Sequence, residues 1–349
     1  MTGHRYDFAI IGAGVTGLGA AMYAGRLNLR TVVIGNAGER SAAQDIGGTV
    51  TLTDVVENYP GFIRLTGEEL AQKLEAHARA YPLVEIKNTW VSKVDRERGC
   101  FSLHLDGEVI QASTLLFATG TQHKKLEVPG HDEFRNKGVQ YCALCDGPLY
   151  RDKVVAVVGG SDSAAKEALL LAEHASKVYI VARGPEIKPE PVNRARVEAN
   201  RKIVAITGTN VVRIDGDKNV HTAILDKPYN GERALALDAV FIAVGVVPLS
   251  DLARPLGVGI NSRGEILIDR DSRTNLPGIY AAGDVADRSF KQAITGVAEG
   301  VVAAYSAFHD IKNDKVCACD DDDAERQKNA GERSDNLPLL ADGPGLGTF

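Results

Sequence analysis

One pattern occurs twice in this chain, and it limits the fold more than any other feature. Tyr6-Asp7-Phe8-Ala9-Ile10-Ile11 is a short apolar run that enters Gly12-Ala13-Gly14-Val15-Thr16-Gly17, followed by an alanine-rich stretch to about Asn28 and a second apolar run, Thr31-Val32-Val33-Ile34. The same order returns as Lys153-Val154-Val155-Ala156-Val157-Val158, then Gly159-Gly160-Ser161-Asp162-Ser163, a helical pattern from about Ala164 to Ala175, and Val178-Tyr179-Ile180-Val181. A continuous apolar run of this length reads as a strand of a parallel sheet buried on both faces, and strand, glycine turn, helix and strand together make a βαβ unit. The glycines permit a tight turn and let the backbone approach a pyrophosphate, whose charge then rests on the N-terminus of the helix. A single such turn also occurs as plain strand-to-helix packing. Two in the same context predict an α/β protein with two Rossmann-like dinucleotide-binding domains.

Composition agrees and removes several alternatives. At 349 residues the chain has room for two cores, and its 36 glycines show no collagen period. Net charge is −6, most of it in the segment after Ile311, so the body is near neutral and lacks the basic footprint that nucleic acid demands. Apolar stretches such as Ala239 to Leu249 fall short of the ~20 residues that cross a bilayer. His4 and Arg5 ahead of an apolar run imitate a signal peptide, but Asp7 and the glycines inside the run indicate folded structure, so a cytoplasmic protein is expected. The five cysteines, Cys100, Cys142, Cys145, Cys317 and Cys319, are too few for a disulfide scaffold. Four of them form two close pairs.

The first glycine turn departs from its usual context. An acidic residue is expected about 20 residues on, to hold a ribose hydroxyl, yet the strand ends Ile34-Gly35-Asn36, and Glu39 is the nearest substitute. A separate segment carries Ile279-Tyr280-Ala281-Ala282-Gly283-Asp284, a strand entering a Gly-Asp turn, with Gln292-Ala293-Ile294 opening another helix. An Asp there also serves as an ordinary cap or turn former.

Chemistry concentrates at Cys142-Ala143-Leu144-Cys145-Asp146-Gly147. Two thiols three apart in one helical turn can close a disulfide, and a helix N-terminus lowers the pKa of the first. Structural zinc and inert packing are the rival readings. Zinc usually needs four ligands, and apart from Cys317 and Cys319 no second CxxC or spaced His pair accompanies this one, so no metal is expected.

Taken together, Gly12-Ala13-Gly14, Gly47-Gly48, Glu57-Asn58-Tyr59-Pro60-Gly61, Ala118-Thr119-Gly120, the CxxC segment and Gly283-Asp284 with Gln292-Ala293 resemble the low-molecular-weight thioredoxin reductases over residues 5 to 310. The resemblance implies an FAD domain split as 1–119 and 248–311, a nicotinamide-type domain inserted at 120–247, and a homodimer that reduces thioredoxin or a similar protein disulfide. Hinges at Gly120-Thr121 and Gly245-Val246 would let the second domain swing. Electrons would pass from a donor to FAD, then to a Cys142–Cys145 disulfide, then to the partner, with Cys145 against the flavin, Cys142 attacking the partner and Asp146 supplying protons. Flavin contacts would come from Gly12, Gly14, Gly17, Glu39, Gly47, Gly48, Thr49, Asn58, Val91, Gly120, Gly283, Asp284, Lys291, Gln292 and Ala293. The family usually has Gln where Thr49 stands and Arg where Lys291 stands.

The second nucleotide site, expected at Gly159, Gly160, Ser163, Arg183 and Lys188, departs further. Family members using NADPH show a third glycine, here Ser161, and an Arg-rich segment that binds the 2′-phosphate. Here that segment reads Val181-Ala182-Arg183-Gly184-Pro185-Glu186-Ile187-Lys188, and a lone Lys does not reproduce the bidentate fork of an Arg. NADPH and NADH both stand as donors, as do a ferredoxin and reduced flavin. Two other functions share the scaffold, a dithiol oxidase and a flavin redox sensor; oxidase relatives tend to carry His after the second Cys, where this chain has Asp146. The acidic tail, 312–349, holds Cys317-Ala318-Cys319 and Asp320 to Asp323 and reads as solvated and disordered. Cys100, between a charged turn and an alternating strand, reads as a packing residue.

Overall fold

A computed structural model describes residues 5–36, 46–53, 56–97, 99–313 and 315–316, with the backbone alone at Asn36, Leu52 and Cys145. The first sheet contains β1 (Arg5–Ile11), β2 (Thr31–Asn36), β3 (Val84–Trp90), β4 (Lys93–Glu97), β5 (Cys100–His104) and β6 (Val109–Phe117) in the order β3-β2-β1-β6-β5-β4. A strand from much later in the chain, which is β17 (Ile279–Ala281), pairs in parallel with β6. β1 lies parallel to both β2 and β6, in register Ile11↔Ile34 and Ile11↔Phe117. That register explains the unbroken apolar run. Phe8 and Ile10 face the alanines of α1 (Val15–Arg26) and α6 (Ala293–Lys312), while Tyr6 and Ile11 pack on the other face with Phe101, Phe117 and Ile279. α2 (Gly67–Arg79) opens on a capping box, Thr66 with Glu69, and packs against α1.

Between the two parts of this unit the chain builds a second sheet from β8 (Val139–Gln140), β9 (Val154–Val158), β10 (Lys177–Ala182), β11 (Ile203–Thr207) and β15 (Ala239–Ile242), ordered β11-β10-β9-β15-β8 and parallel throughout. α3 (Ala143–Asp146), α4 (Asp162–His174) and α5 (Pro191–Ala199) pack on it. A three-stranded meander, β12 (Val211–Gly216), β13 (Val220–Tyr229) and β14 (Glu232–Ala236), covers the opposite face through Ile214, Ala223, Leu225 and Leu235. Where the chain crosses between units, β7 (Thr121–His123) and β16 (Val246–Pro248) run antiparallel side by side. Two α/β units, the second inserted into the first, are therefore present as the glycine turns predict.

Helix ends differ from the sequence expectation by a residue or two. α1 stops at Arg26 because Asn28 turns into the left-handed region at φ 59°, which ends a helix. α4 begins at Asp162, ahead of Ala164, because Ser161 already has the extended N-cap conformation. Among the described residues no helix is long and apolar enough to cross a membrane.

Candidate active site

Both glycine turns are built by close approach. Gly12 has φ +112°, and a Cβ there would stand 2.2 Å from the carbonyl oxygen of Ala118, at the end of the crossing strand β6. Gly159 repeats the arrangement, with a Cβ landing 2.3 Å from the Ala243 oxygen just past β15. Any side chain would push the strand end off its neighbour. Gly17 is needed one turn on, since a Cβ there would meet the Gly12 oxygen at 1.9 Å. The N-cap residues Gly14 and Ser161 make no side-chain cap, so the opening N–H groups of α1 and α4 are not closed off by their own caps.

Distant segments gather around the first turn. Gly47 donates its N–H to the Ala13 carbonyl at 2.8 Å and bridges Gly14, which sets Gly47, Gly48 and the exposed Thr49 against the turn. Asn58 Nδ2 donates to Gln292 Oε1 at 3.0 Å across 234 residues of sequence. Gly283 donates its N–H to Glu299 at 2.9 Å, so the Gly283-Asp284 turn sits against α6. Lys291 Nζ donates to Glu265 at 2.6 Å and to the Asp284 carbonyl at 2.8 Å. Burial pushes the Glu265 carboxyl up, but hydrogen bonds from Lys291 and Asn261 outweigh it and hold the group below its usual range. Asp284 has no such compensation, and burial raises it despite the nearby Lys291 charge. Gln292 caps α6 and Ala293 opens it. Gly120 lies at the crossing point, where its carbonyl accepts from Leu249 N–H at 3.0 Å. Val91 is buried in the core of the first unit. Glu39 lies outside the described residues.

At the second turn, Lys188 donates its N–H to the Gly160 carbonyl at 2.7 Å, which folds the 183–188 loop back over the glycines. Asp162 anchors the far end of that loop. Its carboxylate accepts from the N–H of Glu190 and the amide of Asn193, each at 2.8 Å, and pairs with Lys166 at 2.8 Å. Ser163, Arg183 and Lys188 are exposed, and neither of the two cations makes an ion pair among the described residues. Glu186 lies in the same loop, 3.7 Å from Arg194.

Cys142 is disulfide-bonded. It precedes the single turn α3, and Asp146 donates its N–H to the Cys142 carbonyl at 3.1 Å. Burial raises the Asp146 carboxyl. Gln140 stands 3.2 Å from both Asp146 Oδ2 and the Tyr150 hydroxyl, and the amide orientation that satisfies both donates to Asp146 and accepts from Tyr150. On the other side, the Tyr141 hydroxyl meets His131 Nε2, whose Nδ1 lies 2.9 Å from Asp132. α3 packs on α4, whose Glu167 holds one carboxyl oxygen out of solvent with no hydrogen-bond partner among the described residues. Burial pushes its pKa up to about 8. Cys100, expected as a packing residue, is instead disulfide-bonded. It opens β5 at a half-buried position, where a thiol can still reach a partner.

The family model for pyridine nucleotide-disulphide oxidoreductases matches residues 6–300. This chain belongs to that family. The oxidoreductase is 37% identical over 304 residues to a thioredoxin reductase of Treponema pallidum, covering 86% of this chain and 96% of that protein. It is 36% identical to a thioredoxin reductase of Listeria monocytogenes, covering 86% and 92%. Among solved structures it is similar to Lactococcus lactis thioredoxin reductase in the FR conformation, at TM-score 0.82 and 32% identity, covering 88% of this chain and 99% of that one. The T. acidophilum thioredoxin reductase matches at TM-score 0.82 and 33% identity, covering 88% and 99%. The resemblance to the low-molecular-weight thioredoxin reductases therefore holds over the whole two-unit body.

The residues around the first turn fit the dinucleotide that the family implies. Gly12, Gly17 and Gly48 let the turn close against the backbone of Ala118, Gly12 and Gly14, and the first N–H groups of α1 carry no side-chain cap that would compete with a pyrophosphate. The sequence reading passed over four residues of the oxidoreductase. Glu265 and Glu299 brace the Gly283-Asp284 turn, Glu167 on α4 holds a buried carboxyl oxygen without a partner among the described residues, and Arg196 on α5 reaches Glu57. Glu167 had a visible signal, since it lies at helical spacing among Ala164, Ala168 and Leu171 on the buried face. Glu265 had none, because only its distant partner Lys291 gives it meaning.

Proposed function

We propose that this oxidoreductase reduces the disulfide of thioredoxin or a thioredoxin-like protein in the cytoplasm, with Cys142 and Cys145 as the exchanging pair. The observation that carries the proposal is the disulfide at Cys142, in a CxxC segment of the inserted unit, near a half-buried acid whose carboxyl is raised. FAD, held by Gly12, Gly14, Gly17, Gly47, Gly48, Asn58, Asp284 and Gln292, would supply the two-electron chemistry that opens this bond. Asp146, whose carboxyl burial raises, would serve as the acid for the departing thiolate, and the Gln140 amide holds that carboxyl by a hydrogen bond. The Cys142 thiolate then attacks one sulfur of the partner disulfide and expels the other.

We read the domain division as 1–119 with 248–311 against 120–247. The antiparallel β7–β16 pair supports it, since both crossings run side by side. Gly120 and Gly245 flank that pair at φ +68° and +103°, and a Cβ on either would touch nothing within 4 Å, which suits hinges. A homodimer follows from the family resemblance. The nicotinamide donor is weakly specified. Two exposed cations share the 183–188 loop with Glu186, so a 2′-phosphate finds less charge there than an Arg pair gives, and NADH competes with NADPH.

Anaerobic titration of the purified yellow holoprotein with NADPH, NADH and reduced ferredoxin, followed by flavin bleaching, identifies the donor. Adding oxidised thioredoxin and counting released thiols then tests the reaction. Flavin that is reduced but releases no thioredoxin thiols overturns the proposal, and oxygen consumption with small dithiols turns it toward an oxidase.

A further inference from the structure

The two residues that lead into Cys142 are held from different sides. β8 ends at Gln140, opposite Phe241 of β15, and Tyr141 follows it directly before the disulfide-bonded cysteine. Gln140 reaches Asp146 and Tyr150, whereas Tyr141 packs with the cluster of Val139, Ile214 and Val220 beneath the meander. There its hydroxyl meets His131 Nε2, and the two rings stand edge to face with centroids 6.0 Å apart. His131 Nδ1 lies 2.9 Å from Asp132 Oδ1. The phenol ring also lies 5.8 Å from the ring of His123, on the strand β7 where the chain crosses between units. β12 fixes the turn that carries His131. Gly130 has φ +87° and comes so close that a Cβ would stand 1.9 Å from the Ile214 carbonyl oxygen, while the Pro129 carbonyl accepts the Ile214 N–H at 3.0 Å. The three side chains thus run from solvent to the residue before the thiol, since the Asp132 side chain is 75% exposed and that of His131 only 4%.

The chemistry of the three groups orients their protons. The hydrogen bond from His131, helped by Lys125 at 3.4 Å, holds the Asp132 carboxyl below its usual range, so it is ionised and only accepts. Nδ1 of the neutral imidazole therefore carries the hydrogen and Nε2 presents its lone pair. Burial pushes the Tyr141 phenol up, so it keeps its hydrogen and donates it to Nε2. Every group is satisfied in that arrangement. A proton on His131 reverses the last bond: Nε2–H donates, the phenol oxygen accepts, and the hydroxyl hydrogen has to find another acceptor at a half-buried position.

We propose that Tyr141 is a positioning residue for Cys142, anchored by the Asp132–His131–Tyr141 chain, and that a proton taken up by His131 weakens the anchor. The inference rests on the reading of Cys142 as the thiol that attacks the partner. One peptide bond joins the two residues, with Cα atoms ~3.8 Å apart, so a phenol that shifts moves the sulfur with it. Attack on a protein disulfide is sensitive to direction, and a displacement of about 1 Å can cost up to ~100-fold in rate. The other charges around the chain are Arg135, which faces Tyr141, and Glu133, which shares a cleft beside Gly130 with Arg213, Asp215, Asp217 and His221. Arg213 and Asp215 pair with each other at 2.8 Å, and burial lowers His123, so that imidazole takes its proton only at a more acidic pH than usual.

The test uses the full-length holoprotein, reduced anaerobically with dithionite and studied from about pH 5 to 8, where an ordinary imidazole changes charge. Two rates are measured on each preparation: thiol exchange with oxidised thioredoxin, and alkylation of Cys142 by iodoacetamide, a small reagent that attacks from any open side. Both use the same thiolate, so their quotient removes the thiolate fraction and leaves the effect of position. In the wild type the quotient is expected to fall on the acid side. Tyr141→Phe should lower it about 10-fold near pH 8 and leave it flat with pH, with flavin content unchanged. His131→Gln has an amide that accepts from Tyr141 and donates to Asp132 without titrating, so it should keep the quotient within about twofold near pH 8 and lose the acid-side fall. That variant carries the test by itself where Tyr141→Phe does not fold. A Tyr141→Phe quotient equal to wild type overturns the proposal. An acid-side fall that persists in His131→Gln overturns it as well, because the proton then belongs to His123 or His221. Thioredoxin thiol release by Cys142→Ser would instead defeat the reductase reading, whereas an unchanged Tyr141→Phe beside an inactive Cys142→Ser defeats this inference alone.

Discussion

Arg196 on α5 donates to Glu57 at 3.0 Å, joining residues 139 apart in sequence and linking the inserted unit to the segment that leads into Asn58. Both side chains are about half exposed, so the pair adds at most ~1 kcal/mol to stability. Its larger effect falls on how the two units sit against each other. Arg196→Ala is expected to leave Tm within ~2 °C of wild type, since a loss of that size moves a domain of this length very little. Donor-driven flavin reduction and thioredoxin thiol release should shift in opposite directions, because one placement of the inserted unit is relieved at the expense of the other. Stopped-flow measurement of the two half-reactions decides the point, and two unchanged rates would remove the pair from the swing.

Cys142→Ser and Cys145→Ser are each expected to abolish disulfide reduction while flavin stays bound, since the CxxC segment and the first glycine turn belong to different units. Flavin absorbance and thiol release on the same preparation measure both halves. Residual turnover in either variant moves the chemistry to other cysteines.

Lys291 is the cation between a buried carboxylate and the Asp284 carbonyl. Removing it leaves Glu265, whose side chain is 8% exposed, with Arg263 and Asn261 on its other oxygen only. Lys291→Met should cost about 1–3 kcal/mol, the range for a charged hydrogen bond, since the carboxylate keeps a second cation. It should also lower the flavin content of the purified protein. Lys291→Arg restores the charge and is expected to retain flavin. Equal thermal stability of the Met and Arg variants would show that the pair contributes only geometry.

Glu167 carries the clearest pH dependence. Its folded pKa, about 8, lies above the ordinary carboxylate value, so the folded state binds a proton that the unfolded chain has lost. Stability from this group is complete at pH below the usual carboxylate range and declines as pH rises toward 8. Glu167→Gln removes the titration, so the variant should match wild type near pH 5 and exceed it by about 1–2 kcal/mol near pH 9, allowing for partial exposure. Urea midpoints at the two pH values give the result. A wild-type protein as stable as the variant at pH 9 would mean the carboxyl finds a partner when ionised.

The two glycine turns, both parallel strand sets and the CxxC position were legible because each rests on local order: an apolar run, a turn residue, a helix period. Asn58 and Gln292 were legible only through family resemblance, since nothing local shows that residues 234 apart hydrogen-bond. The meander of β12, β13 and β14 escaped because its strands alternate imperfectly, with register shifts at Val211/Arg213 and Ile224/Tyr229. Cys100 looked like packing because β5 alternates buried and half-buried residues, and nothing local in the sequence marks it as disulfide-bonded. Nothing local marks the bracing acids Glu265 and Glu299, because their partners Lys291 and the Gly283 N–H lie far away in sequence.

Donor choice rests on the loop after the second glycine turn, and the loop geometry limits how it can be altered. Lys188 is tied by its N–H to Gly160, and Ser161 has φ −90° and makes no cap, so Ser161→Gly costs only a few tenths of a kcal/mol. Gly184 is tighter, because a Cβ there would stand 3.3 Å from the Glu186 carbonyl and the loop must give slightly to accept it. Gly184→Arg places a guanidinium next to Arg183 in an exposed loop, where each charged hydrogen bond to a 2′-phosphate is worth roughly 1.5–3 kcal/mol. The native protein should therefore discriminate weakly between NADPH and NADH, and the double variant should favour NADPH by about 10-fold or more in flavin-reduction efficiency. Pro185 and Pro189 flank the loop and resist rearrangement, so a small gain with Gly184→Arg alone fits the same account. No gain in the double variant would indicate a donor that does not use this turn, and reduced ferredoxin then becomes the donor to compare. A native preference for NADPH above ~100-fold would mean that another cation, with Arg194 first in line beside Glu186, binds the phosphate.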